Sequence, residues 1–204
     1  MPKTSSNPKA SPTLTPSISP SGLTNSVTNS VLKFLNKRSL RIDAVTNELR
    51  ANGLVNFGSG SFATVYGHPD LDFVVKVGGF SEEFKFYDRW PEYARLVMAQ
   101  FSNNPYAPKI TALREWKSQK FYVATIEKLE QTVQDIGEDH EVYWQTQHLL
   151  ERWGGSIAYE FEEKYPALYD LLVGIKSLNR PMDLHSENAM LRKDGSLVIT
   201  DPIY

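Results

Sequence analysis

No cysteine occurs in this chain. That absence excludes disulfides, thiolate nucleophiles and Cys-ligated zinc together, and it fits a protein kept in a reducing cytosol. Long apolar runs are missing as well. No stretch approaches the roughly 20 consecutive apolar residues that a membrane-spanning helix needs, and the N-terminus lacks the apolar core of a signal peptide. Neither sign of charge dominates: 22 Lys and Arg stand against 24 Asp and Glu, a formal charge of -2. Nothing in that balance favours nucleic acid or a membrane surface as a partner. The expected setting is the cytoplasm.

What is present suits a folded domain. The 204 residues are 41% hydrophobic, 12% aromatic and 23% charged, enough for one core or for one small domain split into two lobes around a cleft. Residues 1–24, MPKTSSNPKASPTLTPSISPSGLT, are the exception. This Ser/Thr/Pro-rich tract buries too little apolar surface to offset the entropy of ordering it, and it reads as a disordered, solvated tail. A helical extension is expected over 25–53, with helices near 27–35 and 40–50. Ser39 is the expected N-cap of the second helix, and Asn52-Gly53 its stop.

From 54 the pattern changes to short β-branched runs punctuated by glycine, LVNFGSGSFATVYG and then LDFVVKVG, as a hairpin followed by a third strand would require. In SEEFKFYDRW, beginning at Ser81, the aromatics Phe84, Tyr87 and Trp90 fall at helical spacing and predict a helix. Pro91 starts or kinks a second helical piece ending near Phe101. Strands are expected over 109–114 and 121–126, helices over 139–153 and 166–178, and a closing hairpin, AMLR and SLVIT, around Lys193-Asp194-Gly195. Strands with one helix, then helices, then a terminal hairpin make an α+β chain.

Three groups of residues carry chemistry. In Gly58-Ser59-Gly60-Ser61-Phe62-Ala63-Thr64-Val65, glycines between two strands let the backbone approach a polyphosphate and aim N–H groups at it, with Val65 covering a base; a plain glycine-rich hairpin turn has the same sequence. Lys76 lies within the apolar strand Phe73-Val74-Val75-Lys76-Val77, where a lysine needs an anionic partner or must snorkel to water. The third group is Asp183-Leu184-His185-Ser186-Glu187-Asn188, followed by Leu197-Val198-Ile199-Thr200-Asp201-Pro202. Phosphoryl transfer needs a carboxylate near the incoming hydroxyl, an amide oxygen for one metal ion and a second carboxylate for the ion bridging the phosphates. Asp183, Asn188 and Asp201 offer these in that order. His68, His140, His148 and His185 show no paired metal-ligand spacing.

These motifs resemble the protein-kinase-like superfamily. GxGxxA stands in place of its Gly-rich loop, VVK in place of the third-strand VAIK, DLHSEN in place of DLKxxN and TDP in place of DFG. The form is similar both to bacteriophage-encoded serine/threonine kinases and to aminoglycoside and other small-molecule kinases. The resemblance covers about 57 to the end. It implies a bilobal fold with a β-rich N-lobe over 54–128 and a truncated helical C-lobe over 129–204. It implies ATP and Mg²⁺ as cofactors, Asp183 as catalytic base, and Asn188 and Asp201 as metal ligands. Lys76, steadied by Glu83, would position the phosphates, with Glu82 and Glu92 as alternative acids. Gly58, Gly60, Ala63 and Val65 would cover the nucleotide, and the backbone of Glu127 and Leu129 would face adenine. A protein substrate follows, host proteins in the host cytoplasm if the chain is phage-encoded.

The chain also departs from the pattern. Pro181-Met182 replace the His-Arg or His-Gly that braces the catalytic loop, and the sequence stops at Tyr204 without an activation segment. A partner subunit or self-association would then complete the acceptor side. The alternatives are a small-molecule kinase and a catalytically weak nucleotide-binding or partner-binding pseudokinase.

Overall fold

In the computed structural model the described residues are 41–81, 85–133 and 162–204, together with Asn29 and Lys33. The expected helix at 139–153, most of that at 27–35, the Ser39 cap and the tail lie outside them. Among the described residues the protein is α+β, with an antiparallel sheet in its N-terminal half and a few helices. No helix among them is long and apolar enough to cross a membrane.

Helix α1 (Ile42–Ala51) begins at Arg41, whose extended backbone forms the N-cap without a capping side chain. It ends at Asn52 and Gly53, and Gly53 takes φ +84°, a left-handed turn that a side chain would oppose. Val45 and Leu49, one turn apart, are its buried residues. They pack with Leu54, Tyr66, Val75, Val77, Phe121 and Val123 on one face of the sheet.

That sheet comprises β1 (Val55–Ser59), β2 (Ala63–Gly67), β3 (Phe73–Ser81), β5 (Ile110–Trp116) and β6 (Phe121–Glu127), in the order β1-β2-β3-β6-β5, and β4 (Phe86–Tyr87) also pairs with β3. Alternation along β3 sends Val75 and Val77 toward α1, whereas Val74 joins the other face with Tyr122, Ala124 and Ile126. Against this second face lie α2 (Trp90–Gln100), α3 (Pro166–Ser177) and a three-stranded sheet of β7 (Gln131–Thr132), β8 (Ala189–Leu191) and β9 (Leu197–Ile199). In α3, Leu168, Leu171, Leu172 and Ile175 form the buried stripe, and Pro166 occupies the first turn, where its missing N–H costs nothing.

The helix expected from the aromatic spacing of 84–90 does not form over its described part. Lys85 takes φ +59°, and Phe86 and Tyr87 pair with Ser81 and Phe80 as strand β4. The helix starts only at Trp90, after Asp88 accepts a hydrogen bond from the Trp90 amide at 2.9 Å. Pro91 lies in the first turn and so starts α2, which ends at Gln100 with Phe101 as its C-cap, as the sequence predicts. Pairing with the long edge of β3 outweighs the local helical period.

Candidate functional site

Lys76 sits mid-strand, opposite Val65 on β2 and Ala124 on β6. It is only 7% exposed. Its ammonium donates to Asp201 Oδ2 at 2.8 Å and lies 4.4 Å from the centre of the Trp90 ring. A lysine this deep is tolerable because a carboxylate and an aromatic face replace the water it has lost.

Asp201 follows β9, and α2 holds the backbone leading to it. Tyr93 donates its hydroxyl to the Ile199 carbonyl at 2.6 Å, and the Trp90 indole N–H donates to the Thr200 carbonyl at 2.9 Å. Thr200 in turn donates through its amide and its hydroxyl to the Asn188 carbonyl, at 2.8 and 2.9 Å. Burial pushes the Asp201 carboxyl above the ordinary carboxylate range, Lys76 pulls the other way, and the nearby charges of Asp88 and Asp183 add to the upward push. The side chain keeps 39% of its exposure, an open edge that tempers the effect. Asp201 therefore feels one ammonium and two further carboxylates.

Asp183 and Asn188 form the other half of the site. The Asp183 amide donates to the Pro202 carbonyl at 2.7 Å, and Met182 pairs with Ile203, so the loop is tied to the segment just beyond Asp201. The Asn188 amide nitrogen lies 2.8 Å from the Asp183 carbonyl, 3.0 Å from Asp183 Oδ2 and 2.9 Å from His185 Nε2. His185 Nδ1 accepts from the Glu187 amide at the start of a 3-10 turn, Ser186–Asn188, which makes His185 part of the loop's own bracing. Asn188 Oδ1 takes no part in these contacts.

The glycine-rich segment is the β1–β2 hairpin. Phe57 bulges out of register between Asn56 and Gly58, and the turn closes with the Gly60 amide donating to the Ala63 carbonyl at 2.9 Å. Neither Gly58 nor Gly60 has positive φ, and a Cβ at either would meet nothing within 4 Å. Packing does not require these glycines. Ala63 and Val65 are half-buried, with the Ala63 methyl against Gly78. A hollow of about 400 Å³ beneath the tip includes Gly60 and Ala63 but none of Lys76, Asp183, Asn188 or Asp201.

Other expected residues fall differently. Glu92 is not the partner of Lys76. It accepts both Arg180 Nε, at 2.8 Å, and Arg180 Nη2, at 3.0 Å, and Arg89 at 3.2 Å. These contacts, the Arg180 hydrogen bond foremost, hold its carboxyl below the ordinary range. Glu82 and Glu83 lie outside the described residues. The Glu127 amide donates to the Lys109 carbonyl at 2.9 Å, so it cannot also donate to adenine; Glu127 ends β6, and Leu129 lies two residues beyond it. The Glu127 carboxylate is gripped by Arg192 at 2.8 and 2.9 Å.

Several contributors escaped the sequence reading: Trp90 and Tyr93, the Arg180–Glu92 pair, and buried Asp88, which accepts the Tyr122 hydroxyl at 2.5 Å. The sequence marks Trp90 by its helical spacing and Glu92 as an alternative acid, but not the contacts that either one makes. Among the described residues no three His, Asp or Glu side chains gather closely enough to hold a metal ion by themselves. No protein-family model matches the chain, and no curated protein is detectably similar to it.

Proposed function

We propose that the protein is an ATP- and Mg²⁺-dependent phosphotransferase of the protein-kinase-like type, acting on serine or threonine hydroxyls of proteins. The observation that carries this reading is the 2.8 Å contact between Lys76 and Asp201, residues 125 positions apart, beside the Asp183–Asn188 pair. The two-sided arrangement is read as a β-rich lobe carrying Lys76 and a smaller lobe carrying Asp183, Asn188 and Asp201.

The donor set suits Mg²⁺. That ion is commonly held by one or two carboxylates together with substrate phosphates rather than by a protein cage. One amide oxygen and one carboxylate, in surroundings where Asp88, Asp183 and Asp201 outnumber a single lysine, match that habit. When bound, Mg²⁺ would neutralise charge on the phosphates. Lys76 has three donors, of which Asp201 engages one, leaving others for the α- and β-phosphates. Asn188 and Asp201 would hold the ion through their side-chain oxygens. Asp183 accepts the proton of the acceptor hydroxyl. The open space above Gly58 and Gly60 leaves room for phosphate against the hairpin backbone. Host proteins in the host cytoplasm would be the acceptors for a phage-type enzyme.

Purified protein incubated with labelled ATP, Mg²⁺ and cell lysate tests the reading. Label is expected on protein, and Asp183→Ala is expected to lower its incorporation by about 100-fold or more, the usual scale for a general base. Label on a small acceptor would move the assignment to small-molecule kinases. Stabilisation by ATP and Mg²⁺ without turnover would favour the pseudokinase, and label unchanged by Asp183→Ala would end Asp183's assigned role.

A further inference from the structure

The segment leading into Asp183 lacks the bracing residues that its motif would supply, yet it is firmly held. Asn179 takes φ +53°, an uncommon conformation for a residue other than glycine, and it turns the chain directly after α3. The next residue, Arg180, reaches across to α2 and forms a two-pronged hydrogen bond with Glu92, 88 positions earlier in the chain. The same helix holds the other half of the site through Trp90 and Tyr93, whose side chains fix the carbonyls of Thr200 and Ile199. Three residues within one turn of α2 therefore set both the Asp183 loop and the Asp201 strand.

We infer that Glu92 and Arg180 are positioning residues for Asp183: their ion pair substitutes for the missing loop brace and couples the placement of α2 to the catalytic carboxylate. The inference rests on the proposed phosphotransferase reading. Its physical basis is geometric. A planar guanidinium bound through Nε and Nη2 to both oxygens of one carboxylate is fixed in direction as well as distance, unlike a single-point lysine contact. Arg180 is three residues from Asp183, too short a lead for its anchor to move without moving the loop. Arg89 adds a third hydrogen bond to the same carboxylate, through the oxygen that Arg180 Nη2 also engages. Glu92 thus serves the loop, and Lys76 is left to Asp201.

The test measures both turnover and loop order in the full chain. Glu92→Gln keeps the shape but loses the charge, Arg180→Lys keeps the charge but loses the fork, and the exchange Glu92→Arg with Arg180→Glu rebuilds the pair in reverse. Each single variant is expected to lower kcat by about 10- to 100-fold, the scale set by small misplacements of a catalytic group. KM for ATP should stay within about twofold, because Lys76 and Asp201 are untouched. The exchange should recover part of the loss. In parallel, amide hydrogen exchange should rise at Asp183 and Asn188 in the single variants while β3 and β6 keep their protection. Unchanged kcat in an active wild type overturns the inference and leaves the phosphotransferase reading standing. If the wild type transfers no phosphate, that reading fails, and exchange decides the strut alone: loop amides as protected in Glu92→Gln and Arg180→Lys as in the wild type overturn it.

Discussion

At the scale of single residues, the contact between Lys76 and Asp201 dominates the site and carries a stability cost of its own. Lys76 is nearly enclosed, whereas Asp201 keeps an open edge. Removing either partner leaves a charge in surroundings chosen for a pair, which is worse than removing both. Lys76→Met is expected to cost about 2–3 kcal/mol, less than a fully enclosed pair because water reaches Asp201, and Asp201→Asn a similar amount. The double variant should cost less than the sum by about 1–2 kcal/mol. Urea unfolding of the four proteins checks this, and strict additivity would mean that the contact is not formed in solution. The sequence marked each residue singly, because a lysine in an apolar strand and an aspartate at the end of another are chemically out of place, but it gave Lys76 to Glu83 and Asp201 to a metal ion, and their direct contact emerges only in three dimensions. Nor could it announce that Glu92, a candidate acid for Lys76, pairs with Arg180 instead, since both types are ordinary on a surface and nothing periodic links positions 88 apart.

At the scale of elements, the sheet separates two jobs. Its α1 face carries an apolar layer around Val45 and Leu49, and its opposite face carries Lys76. Leu49→Ala, in the α1 layer, is expected to cost about 2–4 kcal/mol through lost burial and a residual cavity, with nucleotide-induced stabilisation unchanged. Gly78→Ala should behave otherwise. A Cβ there would lie 2.6 Å from the Tyr122 hydroxyl and 2.8 Å from the Ala63 methyl. It would push Tyr122 off Asp88, costing about 1–3 kcal/mol from overpacking and weakening nucleotide binding through Ala63. Thermal shifts with and without ATP and Mg²⁺ separate the two; equal losses of nucleotide response would refute the division of faces. Most elements were legible from glycine punctuation and strand alternation, the Gly53 stop and the Lys193-Asp194-Gly195 turn among them. The stretch 85–90 was not, because aromatic spacing records a local preference, whereas strand β4 is made by the distant edge of β3.

At the scale of the molecule, Arg192 at the end of β8 binds the Glu127 carboxylate and the carbonyls of Pro105 and Ala107, tying the small sheet to the large one. Sequence reading placed Glu127 by its backbone; its side chain is what joins the two sheets. Burial alone would raise the Glu127 carboxyl, but hydrogen bonds from Arg192 and the Lys109 amide, with the charges of both residues, hold it below the ordinary range. The sign follows from linkage. A depressed acid binds its proton more weakly in the folded state, so its contribution is complete above the unfolded value near 4.5 and fades as pH falls through the folded one. Asp201, raised rather than lowered, contributes with the opposite sign, so the informative quantity is the difference between wild type and Glu127→Gln. That difference should be largest near neutral pH, on the order of 1–3 kcal/mol for a charge-assisted hydrogen-bonded pair, and should shrink steadily as pH falls below about 4. Arg192→Ala should cost more at neutral pH, because it takes the guanidinium from two carbonyls and leaves the Glu127 carboxylate with the Lys109 amide in place of a charged partner. Chemical denaturation across pH measures both, and a wild-type advantage that stays flat or grows on acidification would show that the Arg192–Glu127 clamp does not join the two sheets.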